Sequence, residues 1–198
     1  LASDLGIDYI DTGAMYRAIA LKLVRQGVDY KDGEALEKML MDTDVDFQNG
    51  HVLLDGEIVD LAIRTPEVSK MASDCSTILA VRQKLVALQQ DMGEKKSLVM
   101  DGRDIGTTIL PNAEVKIYLT ASADTRAKRR ALEYEQKGES FDLDQIRKDI
   151  IERDQRDMNR EISPLKQADD AVLVDSSEMG IDQVVDTILD VYNKKVQK

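Results

Sequence analysis

Residues 7–27, IDYIDTGAMYRAIALKLVRQG, combine the two local patterns that decide the fold class. The first five residues form a short, mostly apolar run that is typical of a buried β-strand. The residues that follow carry apolar side chains at helical spacing, and Gly27 is a typical helix terminator. We therefore predict a strand that leads into an amphipathic helix ending at Gly27, with Gly6 ending an earlier helix in the same way.

The same alternation of strand and helix returns in the second half of the chain. Short apolar segments, each predicted to be a strand, occur at residues 97–101, 114–120 and 171–176. Helical patterns follow the last two of them, at residues 122–138 and 181–195. Strands that alternate with long helices are typical of a parallel sheet covered by helices on both faces. The sequence therefore predicts an α/β fold of three layers.

The middle of the chain has a different pattern. Residues 45–60, VDFQNGHVLLDGEIVD, contain the pairs Asn49-Gly50 and Asp55-Gly56 between short β-rich runs. Such pairs are strong signals for hairpin turns between antiparallel strands. We expect an antiparallel subdomain inserted into the α/β frame.

Composition limits the classes of function. The chain has 198 residues, 42% of them apolar, so one domain with a small insertion is expected. Its net charge of -11 argues against a nucleic-acid partner. The lone Cys75 cannot form an internal disulfide and indicates a reducing compartment, and no apolar run has membrane-spanning length. We expect a cytoplasmic monomer with no membrane partner.

Polar residues follow the predicted parallel strands, which is where ligands bind in open α/β sheets. Asp101 ends the strand within VMDGRDIGT, residues 99–107, a position typical of a Mg²⁺-binding carboxylate in nucleotide-transfer enzymes. Arg103 suits a phosphate, and Asp104 suits a hydrogen-bond donor such as the exocyclic amino group of cytosine. A simple surface pair of Arg103 with Asp104 is the alternative that these residues leave open.

Residues 11–17, DTGAMYR, begin the first long predicted helix. Thr12 is suited to the N-cap, and helix N-termini attract anions through their unpaired N–H groups. Arg17 lies about one and a half turns further along. It is either an anion-binding side chain or an ordinary solvated charge.

The segment ERDQRDMNREISPL, residues 152–165, gathers arginines in an acidic chain. If this segment is a helix, the spacing places four side chains on one face: those of Arg153, Arg156, Asp157 and Arg160. We expect Pro164 to end this helix. Two interpretations stay open: guanidiniums that close around phosphate groups, or a surface of exposed salt bridges.

Together these motifs resemble those of the bacterial cytidylate (CMP) kinases, within the nucleoside monophosphate (NMP) kinase family. DTGAMYR, TPEV…AS, VRQKL, VMDGRDIGT and RDQRDMNREISPLKQADDAV occur in that family's order and spacing, and the resemblance covers essentially the whole chain. It implies a parallel core sheet of the P-loop NMP-kinase type, an enlarged NMP-binding insertion and a helical lid. It also implies transfer of the ATP γ-phosphoryl group to CMP or dCMP, with Mg²⁺.

The resemblance implies boundaries and roles in this chain. The core would be residues 1–30, 78–145 and 166–198, the NMP-binding insertion residues 31–77, and the lid residues 146–165. The CMP phosphate would contact Thr12, Arg17 and Arg103. The cytosine would contact Ser73, Arg82 and Asp104. The ribose would contact Arg153 and Asp157. The catalytic arginines, which stabilise the transferring phosphoryl group, would be Arg103, Arg153, Arg156 and Arg160. Asp101 would lie near Mg²⁺, through water.

The chain departs from the family pattern in one respect. The family's N-terminal strand and its G-x-x-x-x-G-K-[ST] loop, which cradles the ATP phosphates, have no counterpart in the sequence. LASDLG, residues 1–6, resembles the end of the helix after that loop, so we expect about 20 further residues upstream of Leu1 in an intact parent protein. Two other functions stay open: a nucleotide-binding module without catalysis, and a kinase for UMP or AMP.

Overall fold

The computed structural model describes residues 1–196 of the chain. The polypeptide divides into two compact units: one is residues 2–105, and the other begins at Gly106 and includes Leu1. Within residues 1–196, no helix is both long and apolar enough to cross a membrane. The core segment predicted to reach residue 198 extends past the described residues at its last two positions.

The first strand and helix follow the predicted boundaries. Helix α1 (Ala2–Leu5) precedes strand β1 (Asp8–Asp11), which leads without a loop into helix α2 (Thr12–Gln26). Gly27 ends α2 with a φ of 63°, a left-handed conformation that glycine adopts without steric strain. The strand-to-helix prediction for residues 7–27 is confirmed.

The N-cap of α2 differs from the prediction. The side chain of Asp11 accepts a hydrogen bond of 3.2 Å from the Ala14 amide, so Asp11 is the cap and Thr12 is the first helical residue. Asp and Thr cap helices by the same side-chain hydrogen bond, and Asp11 stands where the extended backbone of β1 ends. The prediction of Thr12 as the N-cap is therefore wrong, and its hydroxyl makes another contact.

The antiparallel insertion has the predicted hairpins. Helix α3 (Gly33–Met41) leads into a three-stranded sheet of β2 (Val45–Gln48), β3 (His51–Leu54) and β4 (Glu57–Ile58), ordered β2-β3-β4. Both residues of each turn have positive φ, as type I′ hairpin turns require. These turn residues are Asn49, Gly50, Asp55 and Gly56.

A buried lysine fastens the second hairpin turn to α2. Lys22 Nζ donates 2.6 Å hydrogen bonds to Asp55 Oδ2 and to the Asp42 carbonyl, and only 7% of its side chain is exposed. Asp55 Oδ1 in turn accepts the Asp44 amide over 2.8 Å. This network fixes the turn against the helix that follows β1.

Two helices complete the first unit. After a short 3₁₀ turn (Ala62–Arg64), helix α4 (Pro66–Cys75) begins with Thr65 as its N-cap. Helix α5 (Leu79–Lys95) then leads to strand β5 (Leu98–Asp101), which pairs in parallel with β1. Helices α2, α4 and α5 and the antiparallel sheet share one hydrophobic core, whose fully buried members include Met15, Ile19, Val52, Val68 and Leu85.

The second unit contains a parallel strand pair and three helices. A π-helical turn (Ile105–Ile109) comes before strand β6 (Ile117–Thr120) and helices α6 (Ala123–Gln136) and α7 (Leu143–Asn159). Strand β7 (Val172–Asp175) pairs in parallel with β6, and helix α8 (Ile181–Val196) follows. The parallel strands thus form two pairs, β1-β5 and β6-β7, one in each unit.

Helices α6 and α7 have a small core of their own. Ala127 and Ala131 of α6 are buried against Ile146 of α7. The Arg126 guanidinium binds both oxygens of the Asp154 carboxylate, with NH1 3.0 Å from Oδ1. Apolar packing and a two-pronged ion pair therefore hold the two helices together.

The α/β class, the parallel strands, the helices and the antiparallel insertion are all confirmed. The predicted helix end at Pro164 is wrong: α7 ends at Asn159, and Arg160 has an extended backbone. Proline disfavours a helical backbone at the residue before it, so a helix ends before the proline. The helix can also end several residues earlier, as α7 does.

Candidate functional site

Several polar side chains meet at the carboxyl ends of β1 and β5. The Tyr9 hydroxyl donates to Asp101 Oδ2 over 3.1 Å, and Thr12 Oγ1 donates to the Asp101 carbonyl over 2.7 Å. Side chains alternate along a strand, so Tyr9 and Asp11 lie on one face of β1. The strand register places Asp11 beside Asp101. The predicted site residues Thr12 and Asp101 are therefore in direct contact.

The surroundings of Asp101 disfavour its negative charge. Desolvation raises the pKa of Asp101, and the negative charge of Asp11 raises it further, against the opposing effects of the Tyr9 hydrogen bond and the Arg103 charge. Desolvation and the same two carboxylates also raise the pKa of the Tyr9 phenol. Adjacent carboxylates that repel one another suit a divalent cation, and Mg²⁺ takes one or two carboxylates together with phosphate oxygens.

The carboxylates would not enclose a metal ion by themselves. Within the described residues 1–196, no group of three or more His, Cys, Asp or Glu side chains is placed to hold a metal ion. An Mg²⁺ ion beside Asp11 and Asp101 would need its remaining ligands from substrate phosphates and water.

Gly102 allows the loop after β5 to pass close to α2. A Cβ atom on Gly102 would lie 2.3 Å from Thr12 Oγ1 and 2.9 Å from Ile105 Cδ1. Both distances are shorter than side-chain carbons tolerate, so a larger residue would displace the Thr12 hydroxyl. The Asp-Gly-Arg-Asp sequence thus has a steric reason for its glycine.

A buried ion pair joins α5 to the loop after β5. Arg82 NH2 donates to Asp104 Oδ2, and the two side chains are only 3% and 8% exposed. Arg82 NH1 also donates to the Ser76 carbonyl over 3.3 Å, and its guanidinium lies 5.6 Å from the centre of the Tyr16 ring. The structure brings together two of the residues predicted to face the base. Asp104 is thus a buried carboxylate held by Arg82 and not an exposed surface charge.

Arg17 reaches from α2 to the insertion. Its NH1 group donates to Ser69 Oγ over 2.6 Å and to the Ile63 carbonyl over 3.2 Å. Ser73, one turn after Ser69 in α4, is half-buried, and Arg103 is exposed in the loop after β5. The first unit therefore contains all the residues predicted to bind the CMP phosphate and base.

The arginine-rich segment of the second unit divides between α7 and the residues after it. Arg153, Arg156 and Asp157 lie on α7, and Arg153 Nε is 3.9 Å from Asp157 Oδ2. Arg160 follows the end of α7, and its Nε donates to the Ser163 carbonyl over 2.6 Å. The prediction that one helical face carries all three arginines is wrong at Arg160.

Two side chains that touch the predicted site residues, Tyr9 and Ser69, were missed in the sequence. Tyr9 did have a signal, because the alternation in IDYID places it on the same face of β1 as Asp11, which lies beside Asp101. Ser69 had none: it contacts Arg17 across 52 positions of sequence, and no local pattern links them.

Comparison with known proteins decides the family. A family model described as cytidylate kinase matches residues 1–194, which is nearly the whole chain. The chain belongs to the cytidylate kinase family. This membership confirms the resemblance carried by the DTGAMYR, DGRDIGT and RDQRDMNRE motifs. The cytidylate kinase family consists of phosphotransferases that use ATP as co-substrate, so this member is a kinase.

Curated relatives named cytidylate kinase agree with the family match. The one from Caldicellulosiruptor bescii is 48% identical over 201 residues, covering 100% of this chain and 89% of the relative. The one from Desulforamulus reducens is 49% identical over 192 residues, covering 96% and 86%. The one from Lactobacillus johnsonii is 47% identical over 199 residues, covering 98% and 86%. Each of these matches covers at least 96% of the chain.

Proposed function

We propose that this cytidylate kinase family member transfers the γ-phosphoryl group of ATP to CMP or dCMP, giving ADP and CDP or dCDP. The observation that carries the proposal is the buried pair of Arg82 and Asp104 in a chain that matches the family along its length. A carboxylate held at a fixed place can accept a hydrogen bond from the N4 amino group of cytosine, which uracil lacks.

In this proposal the first unit binds the acceptor nucleotide. Thr12, Arg17 and Arg103 bind its phosphate, since guanidiniums and hydroxyls are strong donors to phosphate oxygens. Arg82 and Ser73 act with Asp104 on the cytosine ring. The Arg17 contacts to Ser69 and Ile63 and the Thr12 contact to Asp101 support these roles, because they fix the side chains before any ligand binds.

The second unit supplies the lid, residues 146–165. Arg153, Arg156 and Arg160 stabilise the charge on the transferring phosphoryl group, together with Arg103, while Arg153 and Asp157 contact the ribose. The attacking phosphate oxygen is already anionic near neutral pH, so the enzyme needs no strong general base. Positioning and charge stabilisation then supply most of the acceleration. A closed lid keeps water from the phosphoryl group.

Asp101 would lie near an Mg²⁺ ion that accompanies ATP, with Asp11 beside it. When bound, the ion neutralises charge on the phosphates. Desolvation and the charge of Asp11 both raise the pKa of Asp101, and the register that sets these two carboxylates side by side supports this placement, since a cation would offset their charge. A monomer in the cytoplasm, where ATP and CMP are available, completes the proposal.

Steady-state assays of ADP formation with the full-length protein test the function. ADP should form from ATP and Mg²⁺ only when CMP or dCMP is added, with UMP and AMP much poorer acceptors. Asp104→Asn should reduce the preference for CMP over UMP, because the amide also donates hydrogen bonds. CMP binding without any affinity for ATP would favour a non-catalytic nucleotide-binding module, and an equal response to UMP would refute the specificity.

Two arginine variants test the lid. Arg160→Ala should lower kcat at saturating CMP by about 100-fold, as loss of a charge-stabilising group in a phosphoryl transfer does. Arg147→Ala is the matched control, because Arg147 lies on α7, pairs with Asp124 and Asp144 at the surface, and has no proposed catalytic role. Equal kcat values for the two variants would contradict the role of Arg160.

A further inference from the structure

Ser69 is the hydroxyl that holds Arg17 from the side of the insertion. Arg17 NH1 donates to Ser69 Oγ over 2.6 Å and to the Ile63 carbonyl over 3.2 Å. Arg17 belongs to α2 and Ser69 to α4, so the contact bridges two helices that are distant in sequence. No part of the proposed mechanism uses Ser69.

The orientation of the Ser69 hydroxyl is fixed by its own proton. Ser69 Oγ donates to the Thr65 carbonyl over 2.8 Å, and the Ser69 amide donates to the same carbonyl over 2.9 Å. Thr65 is itself held as the N-cap of α4, because its Oγ1 accepts the Val68 amide over 3.2 Å. Since a serine hydroxyl has one proton and two lone pairs, this proton is committed to Thr65 and the oxygen faces Arg17 as an acceptor.

We propose that Ser69 is a positioning residue for the phosphate group of CMP, acting through Arg17. The inference rests on the proposed function, in which Arg17 binds that phosphate. An arginine side chain has many rotamers, and binding an anion with it is weakened by the need to order it. Ser69 and the Ile63 carbonyl order the guanidinium in advance. Both contacts are made by NH1, so they fix one end of the guanidinium.

The helix pairing itself does not depend on Ser69. Helix α4 packs into the core through Val68, Ala72 and Cys75, all buried, whereas Ser69 is only partly buried. Alanine is also a better helix former than serine. Ser69→Ala should therefore fold normally, with Arg17 less ordered.

Calorimetric titration of the full-length protein with CMP and with cytidine tests the proposal. Ser69→Ala should weaken CMP binding about tenfold, the effect of losing one hydrogen bond to a charged group. It should leave cytidine binding unchanged, since cytidine lacks the phosphate. Ser69→Thr, which keeps the hydroxyl, should bind CMP within about twofold of the wild type. Thr187→Ala is the matched control: Thr187 Oγ1 makes the same type of bond to a carbonyl four residues earlier, over 2.6 Å, in α8.

A double-mutant cycle completes the test. In an Arg17→Ala background, Ser69→Ala should have no further effect on CMP binding, because its route to the phosphate is gone. Equal weakening of CMP and cytidine, an undiminished effect in the Arg17→Ala background, or unchanged CMP binding by Ser69→Ala would each overturn the inference. These outcomes leave the proposed function intact when the wild type binds and phosphorylates CMP. A wild type that does not bind CMP overturns both.

Discussion

The buried pair of Arg82 and Asp104 gives the sharpest test of how the first unit is held together. Asp104→Asn keeps the shape of the side chain and removes its charge. Arg82 then remains 3% exposed, with the Ser76 carbonyl and the face of Tyr16 as its other neighbours. Among the described residues, Arg82 Nε is buried without a hydrogen-bond partner, so the guanidinium has little else to stabilise its charge.

The stability that Asp104→Asn should lose follows from the burial of Arg82. Removing one partner of a buried ion pair costs about 3–5 kcal/mol, because an uncompensated charge stays buried. Asparagine still offers Arg82 a carbonyl oxygen, which offsets part of the loss, so we expect about 3 kcal/mol. An exposed pair provides the scale for comparison. Lys95 and Asp91 lie 2.6 Å apart with side chains 70% and 53% exposed, and Asp91→Asn should cost less than about 0.5 kcal/mol.

Urea unfolding followed by far-UV circular dichroism measures both values, since the chain has no tryptophan to report by fluorescence. A third variant, Arg82→Met with Asp104→Leu, should recover much of the lost stability, because it removes the buried charge altogether. If Asp104→Asn loses no more stability than Asp91→Asn, the reasoning about burial of this pair is refuted.

Three further predictions concern the Asp55 carboxylate, the Cys75 thiol and the Gly102 turn. Desolvation raises the pKa of Asp55, but hydrogen bonds from its lysine partner and a backbone amide lower it more, so the folded-state pKa lies below the usual value. Its stabilising effect is therefore present above the unfolded pKa of about 3.9 and lost as the pH falls through the folded pKa. At pH 7, Asp55→Asn should lower the free energy of unfolding, measured by urea unfolding, by about 1 kcal/mol. At pH 2 the difference between the variant and the wild type should be smaller, and an unchanged difference would contradict this role of Asp55. Burial raises the pKa of Cys75 to about 12, so native protein at pH 8 should react with a thiol reagent only as fast as it unfolds; rapid labelling would show that the thiol is accessible. Gly102→Ala should raise the KM for CMP about tenfold, because the added Cβ displaces Thr12. Gly33→Ala is the control and should leave the KM unchanged, since a Cβ on Gly33 would have no neighbouring atom within 4 Å. Equal KM values for the two variants would contradict the proposed place of Thr12.

Local patterns in the sequence predicted most helices and strands. The run IDYID, the apolar spacing after it and Gly27 are signals contained within a few residues, and so are the hairpin turns at Asn49-Gly50 and Asp55-Gly56. The errors fall where two nearby residues compete for one role. Asp11 rather than Thr12 caps α2, and α7 ends at Asn159, before the limit that Pro164 sets.

The contacts that organise the site were less accessible to prediction. Arg82 and Asp104 were each singled out for a base, but their direct ion pair depends on how α5 packs beside the loop after β5. Ser69 reaches Arg17 only because α2 and α4 are packed together. Such contacts arise from the tertiary fold, so neither residue spacing nor local periodicity indicates them. The roles of the arginines on and after α7 stay predictions.

Phosphorylation of CMP by this chain can be followed through the fate of a labelled phosphoryl group. Full-length protein should be incubated with Mg²⁺, ATP labelled in its γ-phosphoryl group and CMP, and the products then separated. The label should move from ATP into CDP, and omission of CMP should abolish its transfer. Label that stays in ATP, or that appears only as inorganic phosphate whether or not CMP is present, would contradict it.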